Sequence, residues 1–148
     1  MITGNHIIYL ADDDEDDRQL FTEALKELPF ELQVTTFSNG VDLMSRLLDP
    51  DAQLPDIIFL DLNMPLMNGE ECLADIRDEQ KLCKIPIVIY STSFDVFKVK
   101  LLQKKGADRY LQKPRTYSQL KLTVQKAIES LSKQTSVKVE KEEFVIRS

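Results

Sequence analysis

The sequence has few of the residues that build metal clusters or disulfide scaffolds. Its 148 residues include two cysteines and one histidine. Cys72 and Cys83 form neither a CxxC pair nor a zinc-ligand spacing, so we expect two free thiols in a reducing cytosol. His6 has no second histidine to pair with, which argues against a metal or catalytic role.

Long apolar runs and an excess of positive charge are also absent. No run approaches the roughly 20 residues of a transmembrane helix, and the N-terminus lacks the basic and apolar regions of a signal peptide. The formal net charge of -6 disfavours the phosphate backbone of nucleic acid as a partner. Length and composition suit one cytoplasmic domain with its own core.

Apolar runs and amphipathic segments alternate five times along the chain. Strands are predicted at 6–11, 31–37, 56–61, 87–90 and 109–112, each followed by a helix: from Asp14, from Val41, and over 70–78, 94–105 and 117–131. This order predicts an α/β domain over 5–131, a doubly wound parallel sheet with helices on both faces. Residues 132–148 form a tail that is expected to fray, to add a strand or to act as a docking segment.

Polar residues follow four of the five predicted strands: Asp12 and Asp13, Asp61, Ser91 and Thr92, and Lys113. Ligands bind outside the carboxyl ends of strands in such a sheet, so these side chains are expected to converge. Crowded carboxylates repel, and Mg²⁺ is a cation that relieves this. With Mg²⁺ and Lys113 present the site would attract a phosphoryl group, and Asp61 could be its nucleophile.

Four motifs occur along the chain in this order: Asp12-Asp13, Asp61-Leu-Asn-Met-Pro-Leu-Met-Asn-Gly69, Ser91-Thr92 and Lys113-Pro114. Together they resemble the receiver domain of bacterial two-component response regulators. The resemblance covers roughly residues 5–131. It implies a flavodoxin-like fold with five parallel strands in the order 2-1-3-4-5. It also implies a phosphoacceptor switch rather than an enzyme, a phosphoprotein that assists its own phosphorylation and dephosphorylation.

The resemblance assigns roles residue by residue. Asp61 would accept the phosphoryl group, and Asp12, Asp13, Asp61 and the main-chain carbonyl of Asn63 would bind Mg²⁺. Lys113 would pair with the phosphoryl group, and Ser91 would hydrogen-bond it. Tyr110 would be the aromatic switch residue that follows Ser91 inward. The Lys113–Pro114 bond would be cis.

Three positions depart from the family pattern. Ser91 replaces the commoner threonine and keeps the hydroxyl, while Thr92 stands where a small residue is usual and could share its role. Arg115 follows the Lys-Pro pair where an apolar residue is frequent.

Several of these residues also have structural interpretations. Glu15, Asp16 and Asp17 are interpreted as a solvated helix start, and Asp56 as a turn or cap residue. Tyr110 could be an edge aromatic and Lys113 a solvated charge.

Three other functions are compatible with parts of the sequence. A calcium loop would use Asp12, Asp14, Asp16 and Glu23, but Asp17 stands where that loop needs glycine. An aspartyl phosphohydrolase would carry a second acid where this chain has Asn63. A receiver-like binding module that is never phosphorylated stays open as the alternative.

The resemblance implies a phosphorelay with a sensor histidine kinase or histidine phosphotransfer protein as the donor. No output domain follows in the sequence, so output is expected through contact between the face of helix 4, strand 5 and helix 5 and an unknown downstream protein. The protein is expected to be a monomer or a homodimer.

Overall fold

The computed structural model describes residues 5–132 and 144–147. The strands are β1 (Asn5–Ala11), β2 (Glu31–Phe37), β3 (Ile57–Leu60), β4 (Ile87–Ser91), β5 (Arg109–Gln112) and β6 (Val145–Ile146). The helices are α1 (Glu15–Lys26), α2 (Gly40–Leu48), α3 (Gly69–Asp78), α4 (Val96–Lys104) and α5 (Tyr117–Ser132). The predicted elements are all present, with ends that differ by two residues at most.

All strands lie in one parallel sheet in the order β2-β1-β3-β4-β5-β6. The predicted order 2-1-3-4-5 is therefore correct, and the predicted strand count is one too low. The sixth strand comes from the tail, where Val145 pairs with Tyr110 and Ile146 with Leu111 on the open edge of β5. The alternating Val137 and Val139 of the tail lie outside the described residues.

The sheet has an apolar cluster on each face, as expected when helices cover both sides. One cluster joins residues of α2, α3 and α4 to alternate strand positions such as Ile58 and Ile89. The other joins α1 and α5 to positions such as Phe59 and Val88. Strands β3 and β4 are buried throughout, which is why their sequences are nearly continuous apolar segments.

Side-chain caps fix where the helices begin. Asp14 accepts a hydrogen bond from the backbone N–H of Asp17 at the start of α1, and Asn39 accepts one from Asp42 at the start of α2. Leu20 of α1 and Val41 and Leu48 of α2 fall at apolar positions of the helical period, yet they are 42%, 44% and 55% exposed. These leucine and valine side chains flank the buried stripe instead of lying in it.

The backbone differs from the family expectation at one proline and has a left-handed glycine after α4. None of the peptide bonds in the described residues is cis, so the cis Lys113–Pro114 bond implied by the family resemblance is wrong here. Even before proline the trans form is favoured, by about 0.5–1 kcal/mol. Gly106, which directly follows the C-cap residue of α4, has a φ of 111°, a left-handed conformation that glycine adopts without strain.

The C-terminal strand is anchored by its side chains as well as by its pairing. Phe144 is 2% exposed and packs in the same apolar cluster as Tyr110. The Arg147 guanidinium lies 4.5 Å from the centroid of the Phe94 ring. Residues 144–147 therefore cover the β5 edge of the sheet. No helix among the described residues has the length and apolar character needed to cross a bilayer.

Candidate phosphoryl and metal site

Lys113 lies between carboxylates at the carboxyl edge of the sheet. Its Nζ is 2.7 Å from Asp12 Oδ2, 2.9 Å from Asp17 Oδ2 and 3.6 Å from Asp61 Oδ2. The Lys113 side chain is 9% exposed, and those of Asp12 and Asp61 are 0% and 10% exposed. Lys113 is thus a buried, paired cation, and the solvated-charge interpretation is wrong for this structure.

The backbone hydrogen-bond ladder of the parallel sheet fixes the positions of these residues relative to the strand ends. Just past β1, Asp12 donates its N–H to Phe37 O at 2.9 Å. Just past β3, Asp61 donates to Ala11 O at 2.9 Å, and Lys113 donates to Ser91 O at 2.8 Å beyond β5. Because each residue continues the ladder by one bond, strands β1, β3 and β5 bring their charged ends to one edge.

Three of the carboxylates could hold a cation together. Ligand oxygens of Asp12, Asp13 and Asp61 all lie within 4.8 Å of one another. Asp13 is exposed, so this cluster is open to solvent on one side. Carboxylate oxygens with room for water are the donor set of a hard divalent ion. Asp14 caps α1 and Asp16 is exposed, so the alternating acids of the calcium-loop alternative are not gathered around one point.

Two carboxyl groups of the cluster, those of Asp12 and Asp61, have raised pKa values. Burial raises the pKa of Asp61 to about 6, with Asp12 and Asp13 adding to the effect and Lys113 opposing it. Burial also raises the pKa of Asp12, against the hydrogen bonds from Lys113 and from the Asp14 N–H. The pKa of Lys113 lies above its usual value because its carboxylate partners outweigh its burial. One ammonium faces the carboxylates of Asp12, Asp17 and Asp61, so carboxylates outnumber ammonium groups at this site.

The loop after Asp61 passes very close to it. A Cβ on Gly69 would lie 2.2 Å from the Asp61 carbonyl oxygen, so no larger residue fits at the start of α3. Asn68 caps α3 in a capping box with Glu71, which fixes the far end of the loop. Asn63 is exposed in this loop, two residues after Asp61. These contacts give a physical reason for the asparagine and glycine at the end of the segment.

Ser91 and Tyr110 are connected by hydrogen bonds through Ser93. Ser91, the buried last residue of β4, has its Oγ 3.1 Å from Ser93 Oγ. Tyr110 donates its hydroxyl proton to Ser93 O at 2.6 Å, and its side chain is 1% exposed. Tyr110 does not lie at the edge of the sheet, since β6 pairs beyond β5, and its ring meets Phe94 edge-on at 5.9 Å. Thr92 is exposed beside this chain of hydrogen bonds.

Asp17 is the site residue that sequence reasoning missed. It was grouped with Glu15 and Asp16 as a solvated helix start, and those two residues are indeed exposed. Asp17 instead contacts Lys113 with a side chain that is 33% exposed. The signal was its position in the first turn of the helix that directly follows β1, close to the carboxyl end of that strand.

Comparison with known proteins agrees with this geometry. A family model described as the response regulator receiver domain matches residues 8–125. Response regulator Rcp1 of Synechocystis is 31% identical over 123 residues, which cover 80% of this chain and 84% of Rcp1. The phosphorylated cyanobacterial phytochrome response regulator RcpA superposes with a TM-score of 0.81 at 29% identity, covering 92% of this chain and all of RcpA.

Longer proteins match over the same region. The transcriptional regulator NtrC of Escherichia coli is 28% identical over 128 residues, which are 86% of this chain and 26% of NtrC.

A manganese-bound form of Rcp1 superposes with a TM-score of 0.77 at 29% identity, covering 91% of this chain and 99% of that structure.

Proposed function

Because the chain belongs to the response regulator receiver domain family, we propose that Asp61 accepts a phosphoryl group from a phosphohistidine and that this modification switches the protein between two states. The observation that carries the proposal is the placement of Lys113 Nζ 3.6 Å from Asp61 Oδ2, beside the cluster of Asp12, Asp13 and Asp61. The site combines a nucleophile, a cation and a set of metal ligands at one sheet edge.

The reaction needs a carboxylate, an acceptor geometry and charge neutralisation. An Asp61 carboxylate oxygen attacks phosphorus, the phosphorus–nitrogen bond of the donor histidine breaks, and its electron pair returns to the imidazole ring. Lys113 stabilises the charge that develops on the phosphoryl oxygens. Most of the Asp61 population is ionised at neutral pH, because its pKa is raised only to about 6.

Mg²⁺ fits the residues that are present. Asp12, Asp13 and Asp61 supply carboxylate oxygens, and the main-chain carbonyl of Asn63 would add a neutral ligand. When bound, Mg²⁺ supplies positive charge for the transferring phosphoryl group. The uncompensated carboxylates are the structural reason to expect a divalent cation here.

The switch would use the hydrogen-bonded chain already described. Ser91 would hydrogen-bond the new phosphoryl group, which would draw its hydroxyl away from Ser93. Tyr110 is bonded to the same Ser93 segment, so its environment would change with it. Phosphorylation would thereby bias the face formed by α4, β5 and α5, part of which β6 now covers.

The remaining assignments follow from the family. We infer a sensor histidine kinase or a histidine phosphotransfer protein as the donor and a downstream protein as the target, in the bacterial cytoplasm. Residues 5–131 would form the receiver domain, with 132–148 as a C-terminal tail. The protein would be a phosphoacceptor switch, not an enzyme that acts on other substrates.

Intact mass after incubation with acetyl phosphate and Mg²⁺ tests the proposal. We expect one gain of roughly 80 Da that EDTA prevents. Asp61→Asn should show no gain, and it should still fold because an amide oxygen can accept the bond that Leu62 N–H donates to Asp61 at 2.8 Å. Asp51→Asn, at an exposed turn, is the matched control and should label like the unmodified chain.

Labelling of Asp61→Asn at the same rate would contradict the assignment of the acceptor. Acetyl phosphate is a small donor that some receivers ignore, so beryllofluoride binding in Mg²⁺ is the second measurement. If the protein shows no labelling and also no beryllofluoride binding, that result would favour the alternative, a receiver-like binding module.

A further inference from the structure

Lys113 has a carboxylate partner that belongs neither to a strand end nor to the metal cluster. Its Nζ donates to Asp12 Oδ2 at 2.7 Å and to Asp17 Oδ2 at 2.9 Å, whereas Asp61 Oδ2 at 3.6 Å lies beyond hydrogen-bond distance. Asp17 reaches the lysine from the first turn of α1. The ammonium is therefore held by two aspartates that are not the phosphoacceptor.

These two partners differ in what a metal ion would do to them. Asp12 belongs to the carboxylate cluster, so a bound cation would share its charge and weaken its hold on Lys113. Asp17 is not a member of that cluster, and its carboxylate contacts the lysine alone among the side chains recorded around it. With metal bound, Asp17 would be the main competitor for the ammonium.

We propose that Asp17 is a positioning residue that competes with the phosphoryl group for Lys113 and so lowers the affinity of the site for that group. The inference rests on the proposed function of Asp61. A phosphoryl group on Asp61 would need hydrogen bonds from the same ammonium, which already donates to Asp12 and to Asp17. The Asp17 carboxylate also repels the phosphoryl charge on the other side of the same ammonium.

The neighbouring acids of α1 provide an internal comparison. Asp16 is exposed and carries the same charge one residue earlier in the same helical turn. Both residues interact with the helix dipole, but only Asp17 of the two contacts Lys113 in the described structure. Asp16→Asn therefore matches Asp17→Asn in the charge removed and in helix position, but it keeps the contact between Asp17 and Lys113.

Beryllofluoride affinity at saturating Mg²⁺ is the test, because it measures the phosphoryl-like anion apart from metal binding and turnover. We expect Asp17→Asn to bind beryllofluoride about fivefold more tightly than the unmodified chain. Asp16→Asn should stay within about twofold. Urea unfolding of both variants should show that each is folded to the same extent.

Three outcomes separate the two hypotheses. Tighter binding by Asp17→Asn than by Asp16→Asn supports the inference. Equal or weaker binding by Asp17→Asn, in a protein whose unmodified form binds the anion, overturns the inference and leaves the proposed function standing. Failure of the unmodified chain to bind beryllofluoride, together with failure to label at Asp61, overturns both.

Discussion

The amino-terminal and carboxyl-terminal ends of the strands both carry ion pairs, and the two ends differ in their balance of positive and negative charge. At the amino-terminal edge, Arg77 NH2 lies 2.9 Å from Asp108 Oδ2. The other Arg77 donors bond the carbonyl oxygens of three loop residues, Cys83, Ile85 and Gly106. At the carboxyl edge, one ammonium faces the carboxylates of Asp12, Asp17 and Asp61, with Asp13 close by.

The difference separates a structural ion pair from a functional site. The Arg77 guanidinium is bound by one carboxylate and three carbonyls, a self-sufficient network that ties α3 to two loops. The Lys113, Asp12 and Asp61 side chains are less exposed than those of Arg77 and Asp108, and one ammonium there faces three carboxylates. A buried excess of one charge destabilises the fold, and it is retained where a ligand of opposite charge compensates it.

Removing Arg77 disrupts the ion pair and hydrogen bonds at the amino-terminal end of the strands, and it should give the largest change in the free energy of unfolding. Arg77→Ala would remove the donor of three carbonyl oxygens and leave the Asp108 carboxylate with the backbone N–H of Ile87 but without its arginine. We expect the free energy of unfolding to fall by about 3 kcal/mol, measured by urea denaturation in EDTA. Arg46→Ala, an exposed arginine in the last turn of α2, is the control and should cost less than about 0.5 kcal/mol. Equal losses in the two variants would contradict the structural role of Arg77.

Neutralising Asp61 should have the opposite sign at the other edge. The pKa of Asp61 is about 6 in the folded protein against 3.8 for an unperturbed aspartate, so its protonated form is favoured by folding. That stabilisation is complete below about pH 4 and is lost as the pH rises through about 6. In metal-free buffer, Asp61→Asn should therefore become more stable than the unmodified chain as the pH rises.

The size and window of this effect can be checked by urea unfolding at a series of pH values. The advantage of Asp61→Asn should grow between about pH 4 and 7 and reach the order of 2 kcal/mol. Asp51→Asn, the exposed control, should follow the unmodified chain across the whole range. An advantage of Asp61→Asn that does not change with pH would show that the carboxylate charge is not its source.

The α/β order and the meeting of strand ends were predictable because they depend on local patterns. The continuous apolar runs of β3 and β4 indicate strands buried on both faces, and the parallel arrangement then brings Asp12, Asp61 and Lys113 to one edge. The two-residue strand Val145–Ile146 carries no such pattern. It forms because β5 offers an unpaired edge, which is a tertiary property.

The details of the site depend on contacts between elements and were less predictable. The hydrogen bond between Asp17 and Lys113 joins residues 96 positions apart. Asp17 lies in a run of acidic residues at the start of a helix, where the helix dipole alone is enough to explain an aspartate. The Ser93 bridge from Ser91 to Tyr110 depends on how the loop after β4 turns. Leu66 has a φ of 68°, which its side chain gives no reason to expect.

The most direct test of the charge-balance account is the effect of Mg²⁺ on the free energy of unfolding at neutral pH. Mg²⁺ should stabilise the unmodified chain progressively, by about 2.7 kcal/mol at a hundredfold excess over its Kd. Asp13→Asn keeps the bonds of Lys113 and removes one exposed ligand of the cluster, so it should gain much less. No stabilisation of the unmodified chain, or an equal gain in both proteins, would contradict the claim that the excess carboxylates form a metal site.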